Sequence, residues 1–250
     1  MNRDAQYQFN LSITKTVKWL IIITLGIWFF GQIIGEHFLR IPISRYFALY
    51  PAKVITEFQV WQLGSYMFLH SLQVSHVVLN MLTLWYFGSE LENHWGRKFF
   101  LTYYLLTGFG AAVIYCVGCL IYFFINPQST AMVVPVMGAS GSVFGLLLAF
   151  GVIFGERTIH FMMVFPMKAK YFVLIIGGIE VASLLTADVN GGDVAYLAHL
   201  GGIVSGFLTL QGWTFFKRWQ WNYRAKKRKN LRLVVDNDQK NNRNDPKYWN

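Results

Sequence analysis

The run WLIIITLGIWFFGQIIG at residues 19–35 constrains this chain more than any other stretch. As a helix, its 17 residues rise ~26 Å at 1.5 Å per residue. That is close to the ~30 Å hydrocarbon core of a bilayer. The run is longer than a typical signal-peptide core, and no A-x-A-like site follows it, so it is expected to span rather than be cleaved. Five more apolar runs follow. Spans are expected at about 17–36, 70–90, 98–125, 139–155, 169–187 and 193–216. Lipid offers no partner to backbone N–H and C=O groups, so such runs must be helices. Composition agrees: 54% of residues are hydrophobic and 14% charged, against about 25% charged in soluble domains. The expected fold class is all-α, a polytopic six-transmembrane-helix bundle.

Charge placement gives orientation. Arg97 and Lys98, then Arg157, Lys168 and Lys170, fall in alternate connections. Arg3, Lys15 and Lys18 precede the first span. The positive-inside rule puts these on one side and makes both termini cytoplasmic. Residues 37–60 break the pattern with Arg40, Arg45 and Lys53 on the outer side. They are long and aromatic enough to form an interfacial structure of their own. The end of the chain, 217–250, holds eleven Lys/Arg against three Asp. Such a run suits nucleic acid or a membrane surface. Beside a span it reads as a cytoplasmic anchor, so the bilayer is the expected partner and nucleic acid is not. The organisation expected is a cytoplasmic segment 1–16, a six-helix domain 17–216 and a basic, disordered tail 217–250. Cys116 and Cys119 sit in an apolar helix without a second Cys or His pair nearby, and read as small buried hydrophobes.

The fourth span is short. Ser140 to Phe154 is 15 residues, or ~22 Å of helix, which leaves Ser140 below the membrane surface. Residues 129–139 must then descend as irregular chain, buried in protein or lining a wet cavity. Gly141–Gly145 and Gly202–Gly206 have the small-xxx-small spacing that lets helices approach closely, so the fourth and sixth spans are expected to touch. That places His199 near Ser140. Serine is a candidate nucleophile and neutral histidine a candidate general base. The plainer alternative is a helix-capping serine and a histidine bonded to a backbone carbonyl. His76 and Asn80, at i and i+4, share a helix face. With the Ser140 backbone N–H they could donate to an oxyanion, or simply stitch helices together. No H-E-x-x-H occurs, and NGGD at 190–193 has Asn190 where intramembrane aspartyl proteases have glycine. Neither a metal nor a cofactor is expected.

Four motifs in order over about residues 60–210 make the chain resemble the rhomboid intramembrane serine proteases. G-x-S-G is Gly138-Ala139-Ser140-Gly141, and A-H-x-x-G-x-x-x-G runs from Ala198 and His199 through Gly202 to Gly206. H-x-x-x-N is His76–Asn80, and G-x-x-x-E-x-x-x-G is Gly88, Glu92 and Gly96. The resemblance implies cleavage of single-span membrane proteins in or near their transmembrane helices. Ser140 would be nucleophile and His199 general base. His76, Asn80 and the Ser140 N–H would form the oxyanion site, with Glu92 structural and Gly138, Gly141, Phe144, Gly202 and Gly206 in support. It also implies an integral multi-pass protein, with a bacterial inner membrane as the expected location. The chain departs from the family at Gln62, where arginine is common after Trp61, and at Phe144, which can be tyrosine. His70 lies one residue further from His76 than the pattern has it. The family needs no acidic third member, and Asp193 reads as a solvated loop charge. The alternative function is a catalytically silent rhomboid-like protein that binds transmembrane clients. A channel or transporter would show repeat symmetry or paired charges at depth, and neither is present in the sequence.

Overall fold

A computed structural model describes residues 12–161, 165–186 and 195–228. Most of these are helical. In chain order α1 is Lys15–Phe38, and the short helices α2 (Ile43–Phe47), α3 (Pro51–Thr56) and α4 (Gln62–Ser65) follow. Next come α5 over 74–95, α6 (Arg97–Ile125), α7 (Ser140–Ile153), α8 (Ala169–Thr186) and α9 (Ala195–Arg228). The long helices fall on the six expected segments. By length and composition α1, α6 and α8 can each cross a membrane, and α7 is a shorter apolar helix. One small departure from all-α is an antiparallel hairpin, β1 (Thr158–Phe161) with β2 (Phe165–Lys168), which pairs Ile159 with Met167.

The helix boundaries have local causes. α5 begins at Val74 rather than 70 because the preceding chain turns back: the Ser71 N–H donates to His76 Nδ1 at 3.3 Å. It passes through one wide π turn at Leu84–Gly88 and ends at Gly96, whose φ of +79° breaks the helix and lets α6 start at Arg97. The first amides of α1 meet a carboxylate. Glu92 accepts from the Thr16 and Val17 N–H groups at 3.1 and 3.0 Å and from the Thr14 hydroxyl. This satisfies orphan donors and complements the positive end of the helix dipole.

Packing is inverted relative to a soluble domain. Phe30, Leu79, Leu106, Leu174 and Leu185 face outward, whereas Tyr66, Tyr103, Tyr104 and Tyr115 are fully buried. Between helices, apolar burial gains little over lipid, so close backbone approach and interhelical hydrogen bonds must hold the bundle. The tightest approach joins α7 to α9. A Cβ at Gly202 would run into the Gly141 carbonyl, and one at Gly206 would lie 2.9 Å from Gly145 Cα. α6 closes the third side, where the Tyr103 hydroxyl donates to the Gly145 carbonyl at 2.8 Å and a Cβ at Gly201 would lie 3.1 Å from the Ala111 carbonyl. Cys116 and Cys119 on α6 are buried free thiols.

The descending chain before α7 is held by the outer segment. Leu49 and Val136 exchange backbone hydrogen bonds at 2.9 and 3.0 Å, and the Ala52 N–H donates to the Met132 carbonyl at 2.9 Å. Gln62 is fully buried. It accepts from the Tyr50 N–H and donates to the Tyr46 carbonyl and the Gln59 side chain. On the opposite, Arg-rich side, Arg157 pairs with Glu90 at 2.9 Å.

Residues up to Leu210 form one compact unit and those from Gln211 another. In the second, Trp213, Phe216, Trp219 and Tyr223 follow one another ring to ring at 6.4, 6.1 and 6.0 Å. Helix therefore reaches Arg228, beyond the expected start of a disordered tail at 217; i,i+3 and i,i+4 aromatic pairs support it. The rest of that tail and the first eleven residues lie outside the described residues.

The Gly202 contact is backbone against backbone, so no side chain can swing away to admit a larger residue. Gly202→Val should cost at least the ~1–3 kcal/mol typical of overpacking. Thermal unfolding in detergent should show a clearly lowered midpoint, and an unchanged one would refute the seam.

Candidate active site

Gly138 sets the entry to α7. Its φ of +132° is a region that favours glycine, and its N–H donates to the Tyr66 carbonyl at 3.0 Å. The next N–H, of Ala139, donates to His70 Nε2 at 3.4 Å. Ala139 occupies the N-cap position and Ser140 is the first helical residue. The Ser140 hydroxyl is therefore not in the capping position, and its own N–H is one of the orphan donors of a helix start. The capping alternative fails on this point.

The glycine seam brings α9 alongside. The Ala198 carbonyl would lie 3.7 Å from a Cβ at Gly141, and His199 follows it. The His199 ring stacks on Phe144, one turn below Ser140, with centroids 4.4 Å apart and planes 17° apart. Ser140, Phe144 and His199 line one cavity of about 380 Å³ together with His76 and Asn80. The rest of its wall is mostly apolar, with Leu79 and Phe87 from α5 and Phe172 and Ile176 from α8. Among the described residues no hydrogen bond joins Ser140 to His199. Catalytic bonds of this kind are often long until substrate is bound.

His76 points at the same turn. A Cβ at Gly138 would sit 3.0 Å from His76 Nε2 and 3.8 Å from Ser140 Oγ. On the other side of the ring, Nδ1 accepts the Ser71 N–H at 3.3 Å and lies 3.0 Å from the Ser71 hydroxyl. An imidazole that accepts at Nδ1 carries its proton on Nε2, so His76 presents a donor to the cavity. Asn80 spends one amide hydrogen on the His76 carbonyl at 2.9 Å and keeps the other. His70 is fully buried beside His76, ring centroids 5.2 Å apart. It touches the Ser140 turn rather than the cavity, despite its extra residue of spacing.

One side chain was not anticipated. Glu180 Oε2 lies 2.8 Å from His199 Nδ1. Glu180 is buried at 9% exposure, one of three buried residues on a helix whose other side is exposed. The signal was available, since a carboxylate in the middle of YFVLIIGGIEVASLLT is a functional candidate by default. Asp193, the acid weighed from sequence, lies outside the described residues, as do the other residues of NGGD. Among the described residues no group of three His, Cys, Asp or Glu converges as metal ligands would.

Known proteins share this arrangement of sequence. A family profile described as Rhomboid domain matches residues 57–218, which hold every candidate site residue. The chain belongs to the rhomboid family. It is 27% identical over 252 residues to Rhomboid protein 1, mitochondrial, of Saccharomyces cerevisiae, covering 87% of this chain and 69% of that protein. It is 31% identical over 183 residues to RHOMBOID-like protein 1 of Arabidopsis thaliana, with 73% of this chain and 41% of that one covered. Rhomboid protease GluP of Bacillus subtilis matches at 27% over 155 residues, 62% of this chain and 26% of that protein. The match thus spans less than half of these plant and bacterial relatives. Rhomboid proteins are integral to membranes, in keeping with the long apolar helices here. The relatives are mitochondrial, plant and bacterial, so the expectation of a bacterial inner membrane finds no support in them.

The Gly138 turn admits a direct test. In Gly138→Ala the new methyl meets His76 Nε2 and the backbone must hold a positive φ that alanine resists. The chain should still fold, yet react at Ser140 with a fluorophosphonate at least ~10-fold more slowly, given ~1–3 kcal/mol of local strain. Reaction at the wild-type rate would show that the turn tolerates a side chain.

Proposed function

We propose that this chain is an intramembrane serine endopeptidase that cleaves single-span membrane proteins in or near their transmembrane helices. The observation that carries the proposal is one cavity shared by a serine free of capping duty, a histidine stacked in place beside it, and a second histidine whose proton faces the same turn. In the proposed reaction Ser140 Oγ attacks the scissile carbonyl carbon while His199 Nε2 takes the hydroxyl proton. The carbonyl oxygen becomes an oxyanion, which accepts hydrogen bonds from the Ser140 N–H, His76 Nε2–H and the spare Asn80 amide hydrogen. The C–N bond then breaks, and the His199 imidazolium gives its proton to the leaving amine. Water, deprotonated by His199, then attacks the acyl carbon; the ester bond to Ser140 Oγ breaks, and the His199 imidazolium returns the proton to that oxygen.

The cavity wall supports this substrate class. Its apolar sides, from α5 and α8, suit a hydrophobic segment, and the polar groups gather around Ser140. The proposed protease domain takes in 17–216, with 1–16 and 217–250 as cytoplasmic flanks and no cofactor required.

The test needs no known substrate. Purified in detergent, the protein should be labelled by a fluorophosphonate probe. Ser140→Ala should abolish labelling and His199→Ala should reduce it at least ~100-fold, as loss of a general base does. Labelling that persists in Ser140→Ala removes that residue as nucleophile. A folded protein that retains client helices yet never labels would instead be a silent binding member of the family.

A further inference from the structure

We infer that Glu180 is a third member of the catalytic group, a positioning residue that holds His199 Nδ1–H from α8 and turns Nε2 toward Ser140. This rests on the proposed Ser140–His199 chemistry. Three observations carry it. The contact is 2.8 Å, carboxylate to ring nitrogen. Both side chains are largely enclosed, at 18% and 12% exposure. And Glu180 lies with Ala169 and Phe172 on the buried side of α8, whereas Leu174, Ile175, Ile179 and Leu185 face outward.

The geometry leaves His199 little freedom. Stacking on Phe144 at 17° fixes the plane of the ring but allows it to flip within that plane. A flip would exchange the two nitrogens. A carboxylate has no proton to give and accepts from Nδ1–H, which makes Nε2 the acceptor. Glu180 therefore selects both the flip and the tautomer a general base needs. In the reaction it keeps Nδ1–H while Nε2 takes the Ser140 proton, and its negative charge stabilises the imidazolium that results. Glu180 itself neither gains nor loses a proton. Among the described residues, the other titratable groups near the ring are Tyr196 on its own helix, edge-on at 6.4 Å, and His76 on α5, which lines the same cavity. His76 already presents a donor and cannot take this role. The competing view is a helix stitch: the pair merely ties α8 to α9.

Stopped-flow or gel-based fluorophosphonate labelling of the full chain separates the two. The dependence on probe concentration yields an acylation rate and a binding constant. Glu180→Gln keeps the shape and can still accept from Nδ1–H, but it lacks the charge. Glu180→Leu lacks both. The acylation rate should fall ~10-fold in the first and ~100-fold or more in the second, in the range of general-base effects, with the binding constant nearly unchanged. Glu180→Asp should recover a substantial part of the loss. Thermal midpoints measured on the same samples should not track the rates. Wild-type acylation rates in Glu180→Leu overturn the inference. So do losses that are equal in all three variants and follow the melting midpoint, which is the stitch. If Glu180→Leu fails to fold, the Gln and Asp pair still decides: equal rates in these two and wild type overturn it. Should Ser140→Ala label as well as wild type, it is the serine assignment that fails. Ser140-dependent labelling indifferent to Glu180 sinks only the third member.

Discussion

The structure depends on one contact that two ordinary helices cannot make, backbone against backbone where α7 meets α9. Helix axes usually pack 8–10 Å apart because side chains keep them there. Here Gly141 and Gly145 face Gly202 and Gly206, and a Cβ at Gly202 would collide with a carbonyl. Lipid supplies no hydrophobic force to press helices together, so dispersion over a smooth, close face must do it. The seam also sets chemistry. It brings His199 to the level of Ser140 and slides the ring over Phe144. A wider seam would leave two polar residues at depth with nothing to do.

Burying the start of α7 creates a second demand. Irregular chain below the surface must find partners for every N–H and C=O. Residues 132–138 find them in the outer segment, through the Leu49–Val136 pair, the Ala52–Met132 bond and the Tyr66 carbonyl. That segment is in turn knitted by side-chain amides. Gln62 ties together Tyr46, Tyr50 and Gln59, and Gln32 bonds both the N–H and the carbonyl of His70. Neutral amides both donate and accept without the cost of a buried charge. A glutamine at 62 can therefore organise this segment without burying a charge.

Helices and the glycine seam were legible because each leaves a local trace: run length and four-residue spacing. His76 and Asn80 were legible as a face, and Ser140 as a polar group opening an apolar helix; all three line one cavity. What the sequence hid was pairwise. Glu180 lies 19 residues from His199 on another helix. Its position in an apolar run marked it, but only the rotation of α8 shows that it faces inward. Ser71 was invisible as a partner because the chain must first turn back before α5. The polar, Asn-rich end suggests disorder, yet α9 continues to Arg228, with aromatic residues paired at helical spacing as far as Tyr223. There the local side-chain pairs outweighed composition.

The cavity contains two imidazoles that the proposed chemistry asks to do opposite things, one to give a hydrogen bond and one to take a proton. Nothing intrinsic to histidine separates them, since either ring nitrogen can carry the proton. The difference lies in what each Nδ1 meets. His76 Nδ1 faces the Ser71 backbone N–H, which can only donate, so its Nε2 bears hydrogen and points toward the Ser140 turn. His199 Nδ1 faces the Glu180 carboxylate, which can only accept, so in the neutral ring Nε2 is bare. One partner comes from a bend before α5 and the other from the inward face of α8. Donor and acceptor character are thus assigned by backbone geometry and a carboxylate, at the positions where the proposed acyl transfer needs them.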